Sequence, residues 1–512
     1  QTGTIAIGQD ALGALTSGAK STAIGYESLD AMTTGTNNIA LGYQALKGAN
    51  HANIDGNIAI GINAMDGLGT ADGAAYNIAI GGDALGGALT GDKNIAIGQA
   101  TGDAITSGTL NILMGHDAGT ALTTGSKNIV LGGEALDATT ESEYCIVLGY
   151  QAGSAIDDTD ANGSVLIGHQ AGKALTSGQG NTAVGYAALD VENDGDFSTA
   201  IGYNALGGQE GVTGTVGNTA VGYNAGLVIG AGIRNTIIGY AAGDGFDDES
   251  DNVFIGANAG GGGHEIATSV VIGSSAVSGA ATVDGTVAVG FNSLTSLTSG
   301  SYNSAVGNRT LQTLEGGSYN TALGYNALKT VVSTGSNTAV GYLAGEDLTG
   351  EHNVFMGTSA GYNAANVDKC VLIGSNAGTG VLDANADGTI AIGFQALDGN
   401  VSGQKNVGIG YQALKSPTTG SEQCVAIGWL SQGGAQTTAT NNNNVSIGSF
   451  TMDATMTGAV DNVAVGNYSM SGLTSGDFNV CAGAASGQLI DTGSSNVCIG
   501  FAAGDAITNT GS

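Results

Sequence analysis

Two acidic segments carry the residue types and spacing to hold a hard cation. Asp158-Thr-Asp160-Ala-Asn162-Gly163 and Asp383-Ala-Asn385-Ala-Asp387-Gly388 alternate oxygen-bearing side chains and place glycine sixth, as the first half of a calcium loop does. Neither has an acidic twelfth ligand, because His169 and Phe394 stand there. Asp-Gly and Asn-Gly are also ordinary tight-turn dipeptides. Calcium at Asp158, Asp160, Asn162, Asp383, Asn385 and Asp387 is therefore the only cofactor to be considered, with plain turns as the rival reading. The histidines His51, His116, His169, His264 and His352 lack metal-ligand spacing. No Ser-His-Asp set, phosphate-cradling loop or Rossmann fingerprint stands out from the glycine background. A polysaccharide-cleaving fibre would gather irregular insertions around a carboxylate pair, whereas here the insertions are short and scattered. The chain is not expected to be an enzyme.

What must position any such group is a repeat. The phrase Asn-Ile-Ala-Ile-Gly, or a near variant, occurs 29 times, and 19 of the 28 intervals between its glycines are seventeen residues. None is shorter than sixteen or longer than twenty, from Gly8 and Gly25 to Gly483 and Gly500. That period is too short for a helical hairpin or a propeller blade and fits one coil of a β-solenoid. The expected fold is all-β: an elongated parallel β-solenoid (β-roll) of about 29 coils with little or no helix. No composition break interrupts it, so residues 1–512 read as a single continuous domain. The repeat is under way by Thr4 and still running at Gly500, without evident caps. The expectation is a piece of a longer chain or an end-to-end filament, and stacking at about 4.8 Å per coil gives a rod of about 135 Å.

Within a coil, the residue before the phrase glycine is Ile, Val, Leu or Met in 28 cases. With Ile, Val or Thr two places earlier and usually Ala between, this reads as a strand of four or five residues. Neither face is charged, so the strand is expected to be covered on both sides. Three residues after the glycine stands Ala, Ser or Thr in all 29 coils, then Leu, Met or Val in 16 and Gly in 12. A second short strand or bend with one apolar anchor should follow. Asn opens the phrase in 19 coils, including Asn38, Asn57, Asn77, Asn94, Asn111 and Asn128. Stacked about 4.8 Å apart, these amides should hydrogen-bond in a structural ladder. Asn also tolerates the left-handed backbone of a tight corner. Cys145, Cys370 and Cys424 replace that Asn, whereas Cys481 and Cys498 replace the central Ala one coil apart. All five fill small niches, and no disulfide framework is implied. The slot after the glycine is aromatic in 14 coils, among them Tyr26, Tyr43, Tyr203, Tyr223, Tyr411 and Trp429. Such a column could shield the turn, stack on glycans or pack against a neighbouring chain.

A net charge of −32, from 11 Lys and Arg against 43 Asp and Glu, rules out a basic nucleic-acid stripe. It would also be repelled by an anionic membrane, and no membrane-spanning run is present. Charged residues make up only 11% of the chain and hydrophobic ones 42%, which argues for order.

The stretches Asn181-Thr-Ala-Val-Gly-Tyr-Ala-Ala-Leu189 and Asn337-Thr-Ala-Val-Gly-Tyr-Leu-Ala-Gly345 resemble the head repeats of YadA-like trimeric autotransporter adhesins and related bacteriophage tail-fibre repeats. The resemblance covers essentially the whole chain, although the seventeen-residue period is longer than that of the adhesin heads. It implies a left-handed roll, three chains side by side, and an extracellular, cell-surface or virion location. The function it implies is a structural fibre or adhesin shaft binding a glycan or protein receptor. The alternatives are a self-stacking extracellular filament and an ice- or glycan-binding lattice. The lattice needs a threonine column, and seven Thr scattered among Ile and Val support it weakly.

Overall fold

A computed structural model describes residues 2–49, 54–68, 74–157, 161–262, 265–380, 382–399, 403–416, 421–436 and 441–507. The chain divides into two compact units, Gln1–Asn258 and Ala259–Ser512. Each is a parallel β-solenoid, and no α-helix occurs among the described residues. In the first unit, fifteen three-residue strands run from Ile5–Ile7 to Val253–Ile255. Each pairs in parallel with the next, as Ala23 with Ala40 and Leu166 with Ala183. The second unit stacks fourteen such strands from Val270–Ile272 to Val497–Ile499, again in register, as Cys481 with Cys498.

The strand is shorter than the four or five residues expected, and no second strand follows it in most coils. After the phrase glycine the chain instead turns through left-handed residues two and four places on, such as Glu27 (φ 51°) and Leu29 (φ 51°). Alternating the backbone hand points successive amides in opposite axial directions. Thus Glu27 N–H reaches Gln9 in the preceding coil at 2.9 Å, and Leu29 N–H reaches Ala45 in the following coil at 3.0 Å. A left-handed leucine is unfavourable by roughly 1 kcal/mol, offset here by a satisfied amide and a buried side chain. Among the described residues, extra strand pairs arise locally, Gly195–Asp196 with Gly214–Thr215 and Glu265–Ala267 with Thr282–Asp284.

The strand is not covered on both faces. From Thr22–Ile24 onward the middle residue of every phrase strand is buried, while the two flanking residues are half-buried or exposed. The small Asn/Ala face fills the roll because the interior is narrow, and the β-branched face looks outward.

The interior follows a volume rule. Where the middle residues of a coil and of the next are both Ala, the slot four after the first coil's glycine holds Leu or Met, as Leu46 between Ala40 and Ala59 and Met65 between Ala59 and Ala79. Where that slot is glycine, a large middle residue from its own or the next coil occupies the space. A side chain on Gly102 would meet Leu113 at 2.7 Å, one on Gly243 would meet Phe254 at 2.8 Å, and one on Gly361 would meet Phe355 at 3.0 Å. In the one coil whose slot holds neither an apolar residue nor glycine, Gln432 stands there and donates to Ser446 Oγ in the next coil at 3.0 Å. Close packing at constant volume explains both residue sets with one constraint.

Candidate functional site

The asparagine column forms a buried ladder, unbroken from Asn38 to Asn128. Asn57 donates its backbone N–H to Asn38 Oδ1 at 2.9 Å and its Nδ2–H to the same atom at 3.3 Å. The pattern continues through Asn77, Asn94, Asn111 and Asn128. Each Nδ2 also donates to a turn carbonyl of the next coil, as Asn94 to Gly108 at 2.8 Å and Asn128 to Ser142 at 2.8 Å. Both amide hydrogens and the amide oxygen are thereby satisfied in a solvent-free interior. The left-handed corner lies one residue earlier than expected, at Asn37 (φ 59°), Lys93 (φ 60°) and Lys127 (φ 62°). The phrase-opening residue must keep its side chain inward, so its neighbour makes the turn.

Cysteine in this column takes over the amide's donation. Cys370 Sγ lies 3.3 Å from Ala386 O and Cys424 Sγ 2.8 Å from Asn441 O, the carbonyls an asparagine would reach. Burial pushes both thiols up to about 11, so they remain protonated donors. Asn94→Ala should remove partners from Gly108 O and from two Asn111 donors. An expected loss of about 2–3 kcal/mol would appear as faster hydrogen exchange at Asn111, whereas Asn94→Cys should lose less than half of that.

Two of the calcium candidates, Asn162 and Asp387, fall in a second ladder that sequence inspection missed. Two places before the phrase opener, an Asp, Asn or Ser side chain accepts a backbone N–H from the preceding coil. Asp92 accepts from Ala75 at 2.8 Å, and Asp477 from Val460 at 2.9 Å. Asn162 Oδ1 accepts from Glu143 and Asp387 Oδ1 from Asp368 in the same way. Asp383 caps the 3-10 turn Ala384–Ala386, taking the Asn385 N–H at 2.9 Å. Asp158 and Asp160 lie outside the described residues, as do His51 and His264. Among the described residues no three His, Cys, Asp or Glu side chains converge as a metal site. The signal for this ladder was the Asp/Asn/Ser bias of one slot, obscured by its acidity.

The aromatic slot forms stacks. Tyr26 lies on Tyr43 with centroids 5.4 Å apart. A longer column runs Tyr150, His169, Tyr186, Tyr203, Tyr223 and Tyr240, at 4.9–5.5 Å spacings. Tyr411 stacks on Phe394 at 5.3 Å and meets Trp429 edge-on at 6.3 Å. Within the column each ring's faces are turned to its neighbours, so edges and phenol hydroxyls are what it presents outward.

Electrostatic perturbations are local. Hydrogen bonds from Lys47, Gln44 and Tyr26 hold the Glu27 carboxyl down at about 2. Burial raises the carboxyls of Asp103, Asp137 and Asp190, all five places after a phrase glycine. Glu192 replaces the apolar anchor of its coil and is fully buried. Its Oε1 accepts from the amides of Asn193, Asp194 and Gly195, and its Oε2 from Gln209 at 2.7 Å. Beside it, Ser177, Gln179, Asp194, Asp196 and Thr213 line a shallow open groove, whose carboxylates accept from Thr176, Ser177 and the Gln179 N–H.

No protein-family model matches this chain, and no curated protein matches it significantly.

Proposed function

We propose that this chain is the shaft of a structural fibre or adhesin, non-enzymatic and displayed outside a cell or on a virion. In this reading it is related to the YadA-like and phage tail-fibre repeats it resembles, and it attaches to a glycan or protein receptor. The observation that carries the reading is the outward β-branched face. The interior is already closed by the chain's own inward side chains, among them Asn111, Leu113, Asn128, Val130, Leu136, Cys145 and Val147, yet Ile112, Ile129 and Ile146 remain 37%, 38% and 37% exposed in consecutive coils. Repeated apolar columns of this kind are surfaces that other molecules cover, and further copies of the chain, three in all, are the proposed cover.

Sedimentation should show a trimer, and Ile129→Lys with Ile146→Lys should dissociate it while leaving the β-sheet circular dichroism intact. The purified protein should also bind cells or a glycan array. A monomer that retains this behaviour, or an oligomer indifferent to the lysines, would sink the reading. A second reading, a ligand lattice, is favoured by one run: Thr182, Thr199, Thr219 and Thr236 are register partners in consecutive coils.

A further inference from the structure

The volume rule has two exceptions, Gly487 and Gly504, in the last two phrase coils of the second unit. Elsewhere, a glycine four places after the phrase glycine is matched by a Leu, Ile or Phe in the middle of its own strand or the next, as Gly119 by Leu113 and Gly378 by Leu372. Gly487 has only Cys481 and, one coil on, Cys498. These thiols occupy space that the fold otherwise gives to a larger side chain. They are joined in one buried cluster by the thioethers Met452, Met456 and Met470. Five of the chain's twelve sulfur atoms, from 5 Cys and 7 Met, meet in these few coils.

The register sets two of them side by side, and Met470 packs against the same glycine. A side chain starting at Gly487 would begin 2.5 Å from Cys481 Sγ and 3.4 Å from Met470 Cγ. Cys498 is the register partner of Cys481 one coil on, and both cysteines are free. We propose that Cys481 and Cys498, with Met470 as a third donor, form a seat between successive coils for one soft monovalent cation such as Cu(I) or Ag(I). Thiolate and thioether sulfur select such ions over hard ones. Two metal–sulfur bonds of about 2.3 Å span about 4.6 Å, close to the strand spacing of about 4.8 Å. The parallel register that suits a disulfide poorly therefore suits a bridging ion. Binding replaces two S–H protons by two S–metal bonds and releases both protons to solvent, with no change of oxidation state. Because binding releases protons, affinity should rise with pH.

The test is titration of the whole reduced chain with Ag(I), followed by native mass spectrometry and thermal unfolding. The expected result is one tightly held ion and a higher Tm. Cys481→Ser and Cys498→Ser should each lower affinity at least 100-fold, Met470→Leu should lower it several-fold, and Cys145→Ser should leave that ion in place. Serine is accommodated in this slot, since Ser446 already occupies it fully buried. Retention of the ion by folded Cys481→Ser, or no tightly held ion in the parent chain, would overturn the proposal. Neither outcome bears on the shaft reading, which concerns the outward face.

Discussion

Gly115→Ala is expected to open the stack at its own coil, whereas Gly163→Asn is expected to be nearly silent. Gly115 has φ +139°, and a Cβ there would stand 2.5 Å from the carbonyl oxygen of Gly132 in the next coil. The substitution combines backbone strain of about 1–3 kcal/mol with overpacking of about 1–3 kcal/mol against an atom that cannot rotate away. The sum, of order 4 kcal/mol, belongs to the rare severe class. Gly163 is also left-handed, at φ +74°, but nothing lies within 4 Å of its Cβ position, and Lys127 adopts a similar φ in the equivalent slot. Hydrogen exchange should locate the Gly115→Ala opening in the coils around residues 98–132. Equal losses for the two variants would show that φ, and not the neighbouring carbonyl, makes phrase glycines obligatory.

The second large effect is a compensated core exchange. Leu113→Ala should destabilise by about 2–5 kcal/mol, the range for truncating a buried leucine. Gly102→Leu or Gly119→Leu alone should also destabilise, because each new side chain meets Leu113, at 2.7 and 3.3 Å from its Cβ. Combined, Leu113→Ala, Gly102→Leu and Gly119→Leu should recover most of the loss. They recreate the Ala-with-Leu pairing of the coils containing Leu29, Leu46 and Leu85, whose leucines hold the same left-handed backbone at φ 51–55°. Such non-additivity is the mark of residues sharing one cavity. Urea unfolding of the four variants measures it directly, and additive losses would refute the volume rule.

Much of the fold was legible in the repeat. A seventeen-residue spacing with one β-branched phrase per coil implied parallel, in-register strands, and the recurrent Asn implied a ladder; both are present. The candidate site was read less well. Asn162 and Asp387 matched a cation loop in spacing, yet their side-chain oxygens receive amides from the coil below. A one-dimensional pattern does not distinguish an oxygen aimed at an ion from one aimed at the preceding turn. Glu192 was likewise invisible, because a carboxylate in an apolar anchor slot gains its three amide donors only when its turn closes beneath it.

The sequence by itself determined what repeats along the stack: the phrase strand, its register, and the obligatory small residues. Periodicity is a statement about translation, and parallel stacking turns it directly into structure. Only the tertiary structure decided what meets across the coil. Both strand faces are uncharged, so alternation could not say that Asn and Ala turn inward while Ile and Val remain exposed. Nor could it say that the middle residue and the slot four beyond the glycine divide one fixed volume. Those choices depend on the width of the closed turn, set by its left-handed residues two and four places on.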